Sequence, residues 1–367
     1  MICPQYYPIL GGYEKSAEHL TELLIQRGHS VSVSTRRINR QVPKIQSYRS
    51  HTIIRWWFIN KRFICTFSSC IGFTMFLLRH GWKYDVWHIH QYGYEAVICG
   101  LFSFLFKKAT ILKTTSQNTL VNFMKQRKYN PLIAFGISRI DSIFCASNRM
   151  MDELSKSEFQ FKNICILSNG IGNEYFDRCK VHSKCDVISI VLISRLEPVK
   201  QVKKVLESLN VLFTHDIKFI INVVGDGPCI GALKDFKKNS PYGSNIYLLG
   251  SQDNIPEILI NSDIFVQFSL REGLSNSMLE AMAAGLGIIV SNVSGVEENI
   301  VKVNGGYSVD ARNKLTLESA LLKMAQNVCL RQEMGKNAHI QAWQNYRPEI
   351  VAQRVLNQYK LSIQQLK

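Results

Sequence analysis

The chain lacks several features that would place it in a simple functional class. Its ten cysteines include no C-x-x-C pair, which disfavours a zinc ribbon or thioredoxin-type motif and suits reduced, mostly buried thiols of a cytosolic protein. No D-x-D triplet occurs, so a transferase that chelates a metal through that motif is disfavoured. The N-terminus has no basic segment followed by an apolar core, so no signal peptide is expected. The uncharged stretch 63–78 has 16 residues, which is short for a bilayer-spanning helix and predicts a buried or surface-lying one.

Acidic residues are also missing, from the whole segment between Glu22 and Asp85. The formal net charge is +16, and residues 1–182 contain 24 Lys and Arg against 11 Asp and Glu, a balance of +13. Residues 183–367 contain 20 against 17, a balance of +3. This asymmetry predicts an anionic partner for the first half: phospholipid, an acidic small molecule or nucleic acid. The alternative is a basic surface without a specific partner.

The 367 residues are enough for two domains, each with its own core. In the second half, apolar runs rich in β-branched residues alternate with helical patterns, and four of these runs are 187–194, 217–225, 263–269 and 287–292. Such runs indicate strands buried on both faces, and their alternation with helices indicates a parallel sheet. The first half repeats this pattern less regularly, and Pro4 leaves a first strand that is either unusually short or cut by a late start.

Two doubly wound α/β domains with a cleft between them are therefore predicted, with the polar segment 177–187 as the linker candidate. Parallel sheets bind ligands beyond the carboxyl ends of their strands. Arg195 and Lys200 follow the strand 187–194 and could neutralise a diphosphate. The sequence GDGP, residues 225–228, follows the next strand of the series.

A second group of polar residues follows the strand at 263–269. Gly273, with the backbone N–H groups near Leu274 and Ser275, stands at a predicted helix start, which is a ready anion site. Glu272 precedes this helix and Glu280 lies about two turns inside it. The two acids could contact opposite ends of one nucleotide-sugar, Glu272 at the sugar hydroxyls and Glu280 at the ribose. The ordinary alternative is that both complement the positive end of the helix dipole.

These motifs resemble those of the retaining GT-B-fold glycosyltransferases in the large group 1 family. The resemblance rests on E-x7-E at 272–280, RLEPVK at 195–200, GDGP at 225–228, the pair Gly11 and Gly12 with RGHSV at 27–31, and NGIGNEYF at 169–176. These motifs occur in the expected order between about residue 4 and about residue 305. The sequence departs from the family pattern at Ser194, Phe268 and Gly287, and KTTSQ (113–117) lacks a histidine that many relatives carry.

The resemblance implies an acceptor-binding Rossmann-like domain at 1–180, a donor-binding one at 187–345, and a C-terminal helix at 346–367 that crosses back to the first domain. It implies transfer of a sugar, with retained configuration, from a nucleotide diphosphate sugar to a glycan or lipid-linked acceptor in cell-surface polysaccharide, lipopolysaccharide or glycolipid synthesis. No cofactor or metal ion is expected. A GT-B epimerase and a catalytically degenerate transferase-like partner are the rival interpretations.

Residue roles follow from the same resemblance. Arg195 and Lys200 would bind the diphosphate and stabilise the leaving nucleotide, while Glu272 would hold the transferred sugar and Glu280 the ribose. The remaining donor-binding candidates are Gly12, Gly225, Gly273, Leu274 and Ser275. His90 is a candidate acceptor contact, with a structural role at a strand end as the alternative.

The basic stretch 36–62 places Trp56, Trp57 and Phe58 among eight Lys and Arg. This composition suits an anionic membrane surface, with the rings at headgroup depth. We therefore expect a cytoplasmic enzyme that is peripheral on the inner face of the cytoplasmic membrane. The rival interpretation of the net charge is a nucleic-acid-binding protein, but no nucleic-acid-binding motif is present and no such partner is expected.

Overall fold

The computed structural model describes residues 1–8, 12–39, 41–61, 64–114, 120, 122–123, 131–157, 159–177, 186–293 and 295–366. The chain divides into two compact units, Met1–Gly170 with Pro348–Lys367, and Ile171–Arg347. Most of the predicted linker 177–187 lies outside the described residues. Among the described residues, no helix is both long and apolar enough to cross a membrane.

The first unit is a sheet covered by helices on both faces. Its strands are β1 (Ser32–Arg36), β2 (Ile45–Tyr48), β3 (His51–Trp56), β4 (Val86–Ile89), β5 (Ala109–Lys113), β6 (Ser142–Cys145) and β7 (Ile164–Ile166). Its helices are α1 (Gly12–Gln26), α2 (Cys65–His80), α3 (Tyr94–Phe106), α4 (Pro131–Ser138), α5 (Asn148–Ser155) and α13 (Pro348–Gln364). The strand orders are β1-β3-β2 and β4-β5-β6-β7, and each pair is parallel except β2 with β3.

The short first strand is a single bridging residue between these two groups of strands. Ile2 pairs in parallel with Ser34 of β1 and with Ile89 of β4. The Ile2 N–H donates to the His88 carbonyl at 2.7 Å, and the His90 N–H donates to the Ile2 carbonyl at 2.9 Å. Pro4, which has no N–H, follows two residues later and cannot extend this pairing as a donor.

Successive side chains of a strand point to opposite faces of the sheet, and each face packs against its own layer of helices. Leu112 on β5 and Ile143 on β6 share one core cluster with residues of α2, α3, α4 and α5. Ile111 and Phe144, their neighbours on the same strands, share another cluster with α1 and α13. Helices α2 to α5 therefore cover one face of the sheet, and α1 and α13 cover the other.

The second unit contains a six-stranded parallel sheet in its described residues. Its strands are β8 (Ile188–Ile193), β9 (Phe219–Val224), β10 (Ile246–Gly250), β11 (Ile264–Gln267), β12 (Gly287–Ser291) and β13 (Gly306–Val309). Its helices are α6 (Val202–Ser208), α7 (Asn210–Thr214), α8 (Ile230–Asn239), α9 (Ile255–Ile260), α10 (Asn276–Ala283), α11 (Lys314–Gln326) and α12 (Val328–Tyr346). Alternate residues of β8 lie in two different core clusters, as expected for a strand buried on both faces.

The strand order of this sheet is β10-β9-β8-β11-β12-β13. This is the 3-2-1-4-5-6 order of the doubly wound dinucleotide-binding fold, in which the chain reverses its direction of winding between the first and fourth strands. The predicted α/β class with parallel-sheet domains is confirmed. The reversal point lies between β8 and β11, which places a ligand crevice beyond their carboxyl ends.

The cysteines are less buried than predicted. Those in the described residues are free thiols, and only Cys3, Cys99 and Cys145 are fully buried, while Cys329 is exposed. Cys165 and Cys229, for example, are partly buried and pack against the edges of core clusters.

Close packing of α3 against α4 gives a test of this fold. A methyl group on Gly100 would lie 1.8 Å from the carbonyl oxygen of Gly136, closer than any packing allows. We expect Gly100→Ala to lower the free energy of unfolding of the first unit by about 1–3 kcal/mol through overpacking. Scanning calorimetry would show this as a midpoint lower by several degrees.

The matched control is Gly231→Ala, in the exposed first turn of α8, where a methyl group meets nothing within 4 Å. This control should leave stability unchanged or raise it by up to about 1 kcal/mol, since alanine is the better helix former. Equal midpoints for Gly100→Ala and the unsubstituted protein would contradict the α3–α4 packing.

Candidate functional site

Two loops meet at the reversal point of the second unit's sheet. Residues 194–201 follow β8, and residues 268–275 follow β11, its neighbour in the sheet. The Leu270 N–H donates to the Val199 carbonyl at 2.9 Å and joins the two loops directly. Polar side chains of both loops are therefore held at one edge of the sheet.

Lys200 and Glu272 form an ion pair between these loops. The Lys200 Nζ lies 2.5 Å from the Glu272 Oε2, and the two side chains are only 9% and 18% exposed. Gln267 supports the carboxylate by donating from its Nε2 to the Glu272 Oε1 at 3.4 Å. Burying either charge alone would be costly, and the attraction between the two side chains offsets part of that cost.

Arg195 is at the same sheet edge but is much more exposed. Its Nη1 lies 2.6 Å from the Oε1 of Glu197, an acid that the sequence analysis did not single out. Exposed ion pairs of this kind contribute only about 0–1 kcal/mol to stability. Arg195 can therefore leave Glu197 and pair with a more strongly charged anion at little cost in free energy.

The helix that follows Glu272 begins at a side-chain cap. Ser275 is its N-cap, and the Ser275 Oγ accepts a hydrogen bond from the Met278 N–H at 3.3 Å. Leu274, next to this cap, packs against the loop after β12, because a methyl group on Gly295 would lie 2.5 Å from the Leu274 Cδ1. Gly273 and Leu274 are half-buried at the start of this helix. The predicted anion-binding residues therefore surround a well-formed helix N-terminus.

Glu280, inside this helix, is half-buried and lies near Tyr175. Burial, and then the negative charge of Glu280, raise the pKa of the Tyr175 hydroxyl, which therefore stays protonated. Tyr175 was missed by the sequence analysis, although it lies within the NGIGNEYF motif. The motif thus contributes a protonated hydroxyl beside the carboxylate of α10.

Gly225 supports the loop that carries Arg195. It has a left-handed φ of 128°, and a methyl group on it would lie 1.9 Å from the Ser194 carbonyl oxygen. The Leu196 N–H in turn donates to the Asp226 carbonyl at 2.8 Å. A larger residue at position 225 would clash with the Ser194 backbone, so packing alone explains the glycine. Contact of Gly225 with a donor stays a prediction.

The departures from the family pattern have local causes in the second unit. Phe268 is fully buried in the core cluster under β8. Gly287 lies where a methyl group would come within 2.8 Å of the Met324 Sδ and 3.0 Å of the Arg331 Cγ. Phe268 therefore fills the core, and Gly287 makes room for helices α11 and α12.

The first unit holds the two remaining candidates. Gly12 is the first residue of α1, whereas its neighbour Gly11 lies outside the described residues. His90 is fully buried, with its ring stacked on that of His88 at a centroid distance of 4.3 Å. Burial lowers the pKa of His90 well below its ordinary value, so the ring is neutral. This setting favours the structural role for His90, and an acceptor contact stays a prediction.

A buried lysine near these histidines was not anticipated. The Lys113 Nζ donates to the Asn169 Oδ1 at 2.5 Å, and burial lowers the pKa of Lys113 to about 8. Residues 115–117 of the KTTSQ segment lie outside the described residues. In the part of the chain that the structure describes, no three His, Cys, Asp or Glu side chains are grouped so as to hold a metal ion.

The proposed membrane-contacting aromatics of 36–62 need one correction. Trp56 is buried against Phe73, with ring centroids 4.9 Å apart, because it lies at the end of the central strand β3. Trp57 is exposed and Phe58 is half-buried. The prediction that Trp56 faces a membrane is therefore wrong.

Each of the two units matches a known protein family. Residues 177–341 match the family of glycosyl transferases group 1, and residues 10–174 match glycosyltransferase family 4. The chain is 25% identical over 368 residues to N-acetyl-alpha-D-glucosaminyl L-malate synthase of Bacillus anthracis, covering 96% of this chain and 94% of that protein. It is 27% identical over 320 residues to the phosphatidylinositol N-acetylglucosaminyltransferase GPI3 subunit of Saccharomyces cerevisiae, covering 81% of this chain and 68% of that protein.

Solved structures share this fold. HepE of Anabaena, solved in complex with UDP, superposes with a TM-score of 0.77 over 98% of both chains at 14% identity. The chain is a glycosyltransferase with the GT-B fold, in which residues 177–341 match the group 1 family and residues 10–174 match family 4.

The Lys200–Glu272 pair can be tested by a double-mutant cycle. Lys200→Met leaves the carboxylate of Glu272 without its cation, and we expect a loss of about 1–3 kcal/mol in the free energy of unfolding. Glu272→Gln should lose a similar amount, and the double variant should lose less than the sum, with a coupling energy of about 1–3 kcal/mol. Denaturant unfolding of the four proteins measures this coupling.

The exposed pair Lys203–Glu207, at 3.9 Å on α6, is the matched control in the same unit. Its coupling energy should stay near or below about 0.5 kcal/mol, the value for solvent-exposed pairs one helical turn apart. Equal coupling energies in the two cycles would show that the Lys200–Glu272 pair stabilises the protein no more than an exposed ion pair does.

Proposed function

We propose that this glycosyltransferase uses a nucleotide diphosphate sugar, without a metal ion or other cofactor, and retains the anomeric configuration of the transferred sugar. The observation that carries the proposal is the ion pair of Lys200 with Glu272 at the reversal point of the sheet, with Arg195 and the start of α10 at the same edge. A diphosphate and a sugar are neighbouring parts of one ligand, and this edge offers cations and a carboxylate side by side.

The cations act on the leaving group. When the bond between the anomeric carbon and the β-phosphate oxygen breaks, negative charge develops on the nucleotide diphosphate. Arg195 and Lys200 stabilise that charge, together with the backbone N–H groups near Gly273, Leu274 and Ser275 at the helix N-terminus. The hydroxyl of the acceptor attacks from the same face, and its proton passes to the leaving phosphate oxygen.

The carboxylates orient the two ends of the donor. Glu272 accepts hydrogen bonds from hydroxyls of the transferred sugar, for which its pairing with Lys200 provides a fixed position. Glu280 accepts hydrogen bonds from the ribose. Gly225 holds the loop of Arg195.

The acceptor is a glycan or a lipid-linked molecule, and the pathway is synthesis of cell-surface polysaccharide, lipopolysaccharide or glycolipid. Support comes from relatives named for N-acetylglucosaminyl transfer, one of them to phosphatidylinositol, and from the UDP bound to HepE. The excess of positive charge in the first half suits an enzyme that is peripheral on the inner face of the cytoplasmic membrane. Net charge is the only observation for nucleic-acid binding.

Substitution of Arg195 tests the donor site. We expect Arg195→Ala to lower kcat/KM by about 10²–10³-fold, the usual effect of removing one group that stabilises transition-state charge. Transfer would be measured with UDP-, GDP-, ADP- and dTDP-sugars, using membrane extract as acceptor, beginning with UDP-N-acetylglucosamine. Nuclear magnetic resonance of the product should show the donor's anomeric configuration, and a chelator should leave the rate unchanged.

Lys203→Ala is the matched control, since Lys203 is an exposed cation on the neighbouring helix α6. Its kcat/KM should remain that of the unsubstituted enzyme. Full activity of Arg195→Ala would refute the diphosphate role, and a product of inverted configuration would refute retention.

A further inference from the structure

Helix α2 exposes a continuous apolar stripe on the first unit. The stripe consists of Ile64, Phe67, Ile71, Met75, Leu78 and Trp82, all exposed, with Ile64 and Trp82 just beyond the helix ends. Successive members are three or four positions apart, so they lie on one side of the helix. Phe67 is 71% exposed. Packing within the first unit therefore does not explain why these six positions are apolar.

The side of α2 opposite the stripe packs against the first unit and thereby holds the stripe toward solvent. Phe73 and Leu77 are buried in the core under the sheet. A methyl group on Gly72 would lie 1.8 Å from the Trp57 carbonyl oxygen, so the helix and this backbone are in direct contact. The stripe cannot turn inward without breaking this packing, and its exposure is a fixed property of the fold.

A second apolar patch lies on helices α3 and α4, in the same layer as α2. It consists of Phe104, Leu105 and Phe135, and Phe104 is 78% exposed. The guanidinium carbon of Arg139 lies 4.7 Å from the ring centroid of Phe135 and 5.8 Å from that of Phe104. A cation is thus placed among exposed rings, as at a surface that contacts both apolar and anionic groups.

Along the chain, both patches lie in segments without acidic residues. No acidic residue occurs between Glu22 and Asp85, or between Glu95 and Asp141, the two segments that contain α2, the end of α3 and α4. Among the described residues, the basic ones next to the stripe or the patch along the chain are Lys61, Arg79, Lys83, Lys107, Lys108 and Arg139. Exposed Leu, Phe and Trp side chains flanked along the chain by several cations are typical of helices that lie in the interface of an anionic bilayer.

We propose that the outer side of α2, α3 and α4 docks on an anionic lipid bilayer. The stripe and the patch enter the boundary between headgroups and acyl chains, and the neighbouring cations contact lipid phosphates. The inference rests on the proposed function, because a lipid-linked acceptor would be presented at this surface. The outer side of α2, α3 and α4 also replaces the segment 36–62 as the main membrane contact, and that segment contributes only Trp57 and Lys61.

The experiment measures binding of the full chain to vesicles of phosphatidylcholine, with and without phosphatidylglycerol, by cosedimentation. We expect binding only to the anionic vesicles, weakening as salt is raised. Phe67→Ser with Met75→Ser, and separately Phe104→Ser with Phe135→Ser, should each lower the partition coefficient about tenfold or more. Arg79→Gln and Lys83→Gln should lower it about fivefold each.

Leu361→Ser is the matched control. Leu361 is 48% exposed on α13, which covers the other face of the same sheet, so its loss should leave vesicle binding unchanged. Because all substituted side chains are exposed, circular dichroism spectra and the thermal shift with UDP should be the same for every variant.

Equal binding of the unsubstituted chain to both vesicle types, or undiminished binding by the Ser variants, would overturn the proposal. So would sedimentation velocity showing that these variants dissociate an oligomer while vesicle binding is kept, since the surface would then join copies of the chain. Transfer to a detergent-dispersed acceptor separates the two hypotheses. An inactive chain that binds anionic vesicles would refute the proposed function alone, and an active chain that ignores them would refute the docking surface alone.

Discussion

The Lys200–Glu272 ion pair is the contact on which the candidate site depends. Its two members lie in the loops that follow β8 and β11, the strands between which the winding of the second unit's sheet reverses. Removing two charges from water is costly, and pairing recovers that cost only with good geometry and further hydrogen bonds, here from Gln267. A fold that needed only stability could use apolar residues at these positions. The charged pair is better explained by a ligand that carries both phosphate and hydroxyl groups.

The surrounding loops keep this pair in place through backbone contacts. Gly225 lies against the carbonyl of Ser194, and the Ser269 N–H donates to the Ser291 Oγ at 2.7 Å. Four loops at the carboxyl edge of the sheet are thereby joined to one another. An electrostatic site needs this rigidity, because stabilisation of developing charge is effective only when the charged groups are already in position. The family relationship and the geometry of the second unit thus both support the proposed sugar transfer from a nucleotide diphosphate donor.

Much of the second unit could be predicted from the sequence, because a strand buried on both faces appears as a continuous apolar run. The residues at the ends of those runs could be identified for the same reason. Their pairing could not, since Lys200 and Glu272 are 72 positions apart and strand order is not encoded locally. Tyr175 and Lys113 were missed because burial, which shifts their pKa values, is a property of the folded chain.

The first unit was harder to predict for physical reasons. Residues 65–78 contain no charged side chain that would mark the solvent side of the helix, so the exposure of Phe67 and the burial of Phe73 become visible only in the structure. Trp56 looked like a surface residue because cations surround it in sequence, yet its strand lies at the centre of the β1-β3-β2 group.

A crystal structure of the complex with UDP would test the central claim most directly. The account predicts diphosphate oxygens within hydrogen-bonding distance of the Arg195 guanidinium and the Lys200 ammonium, beside the start of α10. A nucleotide bound elsewhere, with the Lys200–Glu272 pair far from any phosphate, would contradict it.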